Sequence, residues 1–179
     1  FVAKYKIGPL FTPPVVSKPD GPRATLMLPS EIGGANWPGG SFDPETNTLF
    51  IHSLTQIFAN ALVEPAKGQS DMRYVSGIAR GADGVPLGTN TPSIQGLPLV
   101  KPPYDRISAY DMNRGELLWQ KAHSSTPDTI RNNPALKGVT LPPRTGQPGR
   151  TFIGTLTTKT LLIAGDGGHS AFYSQRKFI

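Results

Sequence analysis

The chain has 179 residues, no cysteine and a formal net charge of +6, which excludes disulfides, thiolate metal sites and a cysteine nucleophile. Glycine (20) and proline (19) are nearly twice ordinary usage, yet Leu, Ile, Val and Phe supply about a quarter of the residues, enough to argue against disorder. Lys and Arg are scattered without interleaved aromatics, so the charge points to no nucleic-acid partner, and no apolar run is long enough for a membrane helix. In chain order, the first strand pair is Ser41-Phe42-Asp43, a turn over 44–47 opened by Asp43-Pro44, and a strand over 49–52. Residues 56–66 read as a short helix, with Ile57, Phe58, Ala61 and Leu62 on one face and Pro65 as its stop. A long insertion over about 54–103 precedes the second pair. That pair is a strand over 107–111, a turn over 112–115 and a strand over 116–119. Residues 122–149, rich in Pro, Asn and Thr, read as an ordered loop. The third pair runs from 153 to 157, turns at Thr158-Lys159 and returns over 160–164.

The first and third pairs resemble each other: Gly40-Ser41-Phe42 with Thr48-Leu49-Phe50-Ile51 aligns with Gly154-Thr155-Leu156 and Thr160-Leu161-Leu162-Ile163. A recurring four-stranded unit buries its faces only by stacking on neighbours. Radial stacking of such sheets is a propeller. The expected fold is therefore all-β, a partial β-propeller of about two four-stranded antiparallel blades with long loop insertions. Residues 1–111 would form one blade with its insertion, a new unit would open at Glu116, and 112–179 would form the next, incomplete blade. The chain opens at Phe1 without an initiator Met, which reads as a processed piece or an excerpt of a longer chain.

Three stretches carry a family resemblance. Ala109, Asp111, Asn113, Gly115, Glu116 and Trp119 match the tryptophan-docking repeat of quinone-binding propellers, with Arg114 in place of the usual Thr. Gly33-Gly34-Ala35-Asn36-Trp37, followed by Asp43-Pro44-Glu45-Thr46, is similar to the cofactor-proximal segment of pyrroloquinoline quinone (PQQ) dehydrogenases. Gly154 to Gly168 is similar to the next blade of the same enzymes, and the repeat's closing Trp is missing after Tyr173. The chain thus resembles the C-terminal part of the propeller of PQQ-dependent glucose and alcohol dehydrogenases.

The resemblance implies an oxidoreductase that oxidises a sugar or alcohol hydroxyl in the periplasm. It implies that Asn36 and Trp37 bind PQQ, Asn36 by hydrogen bonds and Trp37 as a flat wall with an indole donor. Trp119 would pack between blades. Gly165 to Gly168 is a weaker candidate for turning backbone N–H groups towards an anion. By the resemblance calcium would accompany PQQ; in the family its ligands lie well before the Asn-Trp segment, where this chain has only Asp20 and Glu31 in no ligand-like spacing, so they are expected outside this chain. No metal ligand and no catalytic base are assigned, and the isolated chain is expected to be inactive. Its expected partners are the remaining blades or a second copy, besides the small substrate; whether it attaches to a membrane is left open.

Other constellations are weaker. Asp43, Glu45 and Asn47 alternate like the start of a calcium loop but lack its glycine and distal Glu, and a hairpin turn explains them. His52, His123 and His169 show no zinc spacing. The rival reading is a non-catalytic propeller scaffold, which would have no use for the Asn36-Trp37 segment.

Overall fold

The computed structural model describes residues 1–149, 153–166 and 169–174, with side chains through Gly165. In chain order the strands are β1 (Val15–Val16), β2 (Thr25–Met27), β3 (Gly40–Asp43), β4 (Thr48–Leu54), β5 (Phe58–Val63), β6 (Val75–Gly77), β7 (Ser93–Ile94) and β8 (Leu97–Pro98). Then follow β9 (Asp105–Asp111), β10 (Glu116–Ala122), a one-turn helix α1 (Asp128–Arg131), β11 (Thr155–Thr157), β12 (Leu161–Asp166) and β13 (His169–Ser174). The fold is all-β, as the pattern of short apolar runs and turns predicts. The chain divides into two compact units, one of Phe1–Glu31 with Gln56–Leu99, the other of Ile32–Thr55 with Val100–Ile179.

In the first unit β5 is the hub. It pairs with β2 and β6 antiparallel and with β1 in parallel. This strand replaces the helix expected over 56–66. The apolar run Phe58-Ala59-Asn60-Ala61-Leu62 is ambiguous by periodicity alone, since a strand paired on both edges need not alternate. Phe58, Ala59 and Ala61 are all buried, and Ala61 packs with Tyr5, Ala24, Ala59 and Ala79 in a small-residue core. The short hairpin β7–β8 closes the insertion.

In the second unit an antiparallel sheet runs in the order β10-β9-β4-β3. The turns are built as the sequence dictates. Asp43 accepts hydrogen bonds from Glu45 N (3.0 Å) and Thr46 Oγ1 (2.7 Å), and Asp111 accepts from Asn113 N (2.8 Å). Gly115 then takes a left-handed φ of 71°, a conformation side chains resist. So tight a turn returns the chain antiparallel beside β9. Glu116 therefore begins the fourth strand of this same sheet rather than opening a new unit, and β10 pairs from Glu116↔Asp111 to Ala122↔Arg106.

The second sheet has, among the described residues, the order β11-β12-β13. Its turn is closed by Thr158 N on Leu161 O at 2.8 Å. Between the two sheets lies the apolar core: Phe50, Ile107 and Ala109 from one, Leu162 and Ala164 from the other, with Ile153. Trp119 packs on this cluster, its ring 5.8 Å from that of Phe50. It is thus wedged between adjacent sheets, the place the docking repeat implies. A register shift between Leu117 and Trp119 admits the indole, the usual effect of a bulge that re-aims a side chain.

Candidate cofactor loop and the cluster beside it

Residues 33–40 form a loop that enters β3. Gly33 and Gly39 have left-handed φ of 83° and 65°, so the glycines here are required by the backbone path. Asn36 shapes the loop from within. Its Nδ2 donates to Ile32 O (2.9 Å), and its Oδ1 accepts from Trp37 N (2.7 Å). The loop is tied to the sheet by Leu54 N donating to Gly34 O at 2.6 Å and closed on itself by Gly39 N donating to Asn36 O at 2.7 Å. Trp37 is 94% exposed. With Ala35, Asn36, Gly39, Gly40, Leu49 and Ile51 it lines an open depression of about 630 Å³.

The lining is apolar, flat and rich in glycine, with amide groups and no charged side chain. It can hold the face of a planar ring system. One proton of the Asn36 amide remains for a further acceptor, since only one donation by Nδ2 is formed in the loop. Counter-charges for ligand carboxylates would have to come from elsewhere. Asn36 and Trp37 are thus brought together at one depression. Gly167 and Gly168 of the Gly165–Gly168 stretch lie outside the described residues, as does the His169 side chain.

A second constellation was not singled out in the sequence. Its members come from β4, the start of β9 and the loop after β10. Asp105, 1% exposed, accepts from Ser124 Oγ (2.7 Å) and Ser124 N (3.1 Å). His52 Nε2 stands 3.9 Å from the same carboxylate, beyond hydrogen-bond length. Burial pushes the Asp105 carboxyl up, but the nearby His52, both Ser124 donors and the Gln147 N–H reverse this and hold it below the ordinary value. The His52 and His123 rings meet edge-on at 5.9 Å. His123 in turn bonds Gly165 O through Nε2 (2.5 Å), and Arg144 donates to His123 O. The one local signal is His52, which shares the buried face of β4 with Phe50 and Leu54 and so marks a polar residue at an inward strand position.

Among the described residues no group of His, Cys, Asp and Glu could hold a metal ion. Asp43 is spent on its own turn, in line with the hairpin reading of the Asp43, Glu45, Asn47 alternation.

The PQQ propeller family, described as the glucose/ethanol/alcohol dehydrogenase β-propeller domain, matches residues 1–175. The chain belongs to this family. It is 29% identical over 152 residues to a probable quinate dehydrogenase (quinone) of Xanthomonas campestris pv. juglandis, covering 80% of this chain and 19% of that protein. It is 27% identical to the quinoprotein glucose dehydrogenase of Escherichia coli K12, over 68% of this chain and 16% of that one. It is 33% identical to a glycerol dehydrogenase large subunit of Gluconobacter oxydans, over 62% and 16%. The chain thus spans less than a fifth of the length of these relatives. No solved structure matches it. The family is one of PQQ-dependent sugar, alcohol and quinate dehydrogenases, an oxidoreductase family whose cofactor is PQQ.

Proposed function

We propose that these residues form the cofactor-facing part of a PQQ-dependent dehydrogenase that oxidises a hydroxyl of a sugar, alcohol or related polyol. The observation behind this reading is Trp37: a large apolar ring, 94% exposed, held over an open depression by a loop whose glycines and Asn36 amide fix its path. An indole face set beside an open apolar depression has the shape to meet a planar quinone. Trp37 would stack on or flank the rings, and the spare Asn36 amide proton would reach a quinone or carboxylate oxygen. PQQ supplies the ortho-quinone that accepts the substrate's hydride. This chain's share is to orient the cofactor and keep water from one side of it.

On this reading calcium binds beside PQQ through ligands outside the chain, and the catalytic base also lies outside it. The remaining blades of the same propeller are the natural partners, and the protein works in the periplasm. The 179 residues alone would therefore show no turnover. PQQ- and calcium-dependent dye reduction by the isolated chain would overturn that expectation. The cofactor assignment is tested in the full-length dehydrogenase by titrating PQQ into Trp37→Ala. Loss of affinity with unchanged melting supports it; unchanged affinity removes it and favours the scaffold reading.

A further inference from the structure

We propose that Asp105 is a positioning residue, a buried carboxylate that sets the cofactor loop and the exit of β12 in register with each other. The proposal rests on the reading that Asn36 and Trp37 face PQQ.

Three segments converge on Asp105, the first on its backbone and the other two on its carboxylate. The first is the end of β4. Asp105 is the register partner of Leu54, and Leu54 N donates to Gly34 O at 2.6 Å, two residues before Asn36. Next to it Thr55 N donates to Tyr104 O at 2.7 Å. The start of β9 thus holds the strand end from which the cofactor loop hangs. The second segment is 123–124. Ser124 gives Asp105 both its N–H and its hydroxyl, which fixes the neighbouring His123. That ring crosses to Gly165 O in β12. The third is 144–147. Gln147 N–H also donates to Asp105, Gly146 N donates to Ser124 O at 3.0 Å, and Tyr104 N donates to Thr145 O at 2.7 Å. The approach is so close that a Cβ on Gly146 would strike both the backbone and the carboxylate of Asp105.

A buried carboxylate is an expensive fastening. Its desolvation must be offset by the donors around it, and an apolar contact of equal volume would hold the sheets together at lower cost. What a carboxylate offers instead is direction. Several donors must meet it at fixed angles, so the backbones that carry them are placed to within a fraction of an ångström. Here the 123–124 backbone leads through His123 to Gly165 in β12, and the backbone of Asp105 itself, paired with Leu54, leads to Gly34 in the proposed cofactor loop. Misplacing such elements is costly to binding even where no ligand contact is lost.

The test uses the full-length dehydrogenase with Asp105→Asn, Ser124→Ala and Trp37→Ala. Asp105→Asn keeps size but turns an N–H2 towards donors. Three quantities are read: PQQ affinity, melting temperature, and hydrogen–deuterium exchange of peptides covering 33–40 and 161–166 in cofactor-free protein. The expected result for Asp105→Asn is faster exchange in both peptides and PQQ affinity lower by about tenfold, with Ser124→Ala moving both in the same direction by less. A lower melting temperature with unchanged exchange at 33–40 and unchanged affinity would reduce Asp105 to a structural residue and overturn the proposal. So would faster exchange that leaves affinity intact while Trp37→Ala abolishes it. If Trp37→Ala itself leaves PQQ affinity unchanged, the cofactor reading fails, and the exchange data still report whether Asp105 governs the loop.

Discussion

The two tryptophans of the chain sit in opposite surroundings. Trp119 is wedged between two sheets, against Phe50 and a core drawn from both. Trp37 stands on a glycine-bounded loop with 94% of its surface free. The same side chain is packed in one place and open to solvent in the other, and what separates the cases is the backbone beneath. Trp119 lies on a strand whose pairing is bulged to turn it inward. Trp37 lies on a loop between strand elements, whose path is set by left-handed glycines and an internal Asn amide.

The comparison breaks most sharply at Trp37. In the full-length dehydrogenase Trp37→Ala is expected to weaken PQQ by about a hundredfold, a loss near 2.7 kcal/mol, while the melting temperature stays within a degree or two. Trp119→Ala is expected to do the reverse. Removing a large aromatic from between two sheets leaves a cavity and costs about 3 kcal/mol of stability, read by chemical denaturation, with PQQ affinity per folded molecule little changed. If both variants lose affinity and stability together, the division of labour between the two tryptophans is wrong.

Much of this contrast was legible in the sequence. The docking repeat from Ala109 to Trp119 named the wedge residue, and the Asp43 and Asp111 turns followed from short polar side chains beside glycine or proline. The loop around Asn36 and Trp37 was visible as a glycine cluster outside any periodic run. Other features were not. Residues 56–66 carry an apolar spacing that suits one helical face, but three partner strands compete for β5, and pairing partners remote in sequence leave no local mark. The fourth strand at Glu116 was assigned to a new unit because a repeat gives its period, not the point where one sheet ends. The Asp105 cluster joins residues from 52 to 147, and nothing in the spacing of His52, Asp105, His123 and Ser124 announces that they meet.

Gly146 sharpens the contrast between a required glycine and a permitted one. Its φ is 77°, and a side chain there would collide with Asp105. Gly115 has a similar φ of 71° but open space around it. Gly115→Ala should cost about 1 kcal/mol, the backbone penalty alone. Gly146→Ala should cost about twice that or more, because the collision adds to the same penalty. Equal costs for the two, measured by denaturation, would mean that the loop yields and Asp105 is not tightly held.

The smallest expected effect separates the two ends of β9. Asp105 and Asp111 both have their carboxyls held below the ordinary value. At Asp105 burial opposes the shift and is overcome by His52, Ser124 and Gln147; at Asp111 the Asn113 N–H leads, helped by Arg114. A carboxyl that binds its proton more weakly in the folded state stabilises the fold fully above its unfolded pKa. That contribution is lost as pH falls through the lower folded value. The window therefore opens at about pH 4 and extends downward. His52 on β4, with His123 and Arg144 from the loop, are the other titratable or charged groups gathered at Asp105. Asp105→Asn should flatten the acid limb of a stability–pH curve in this window, since the group that must be protonated is gone. Asp111→Asn should flatten it less, because Asp111 lies at an exposed turn where water screens its partners and an amide oxygen can accept the same N–H. An acid limb equally changed by both variants would place the two carboxylates in equivalent surroundings, and the buried cluster at the start of β9 would lose its distinction from an ordinary turn.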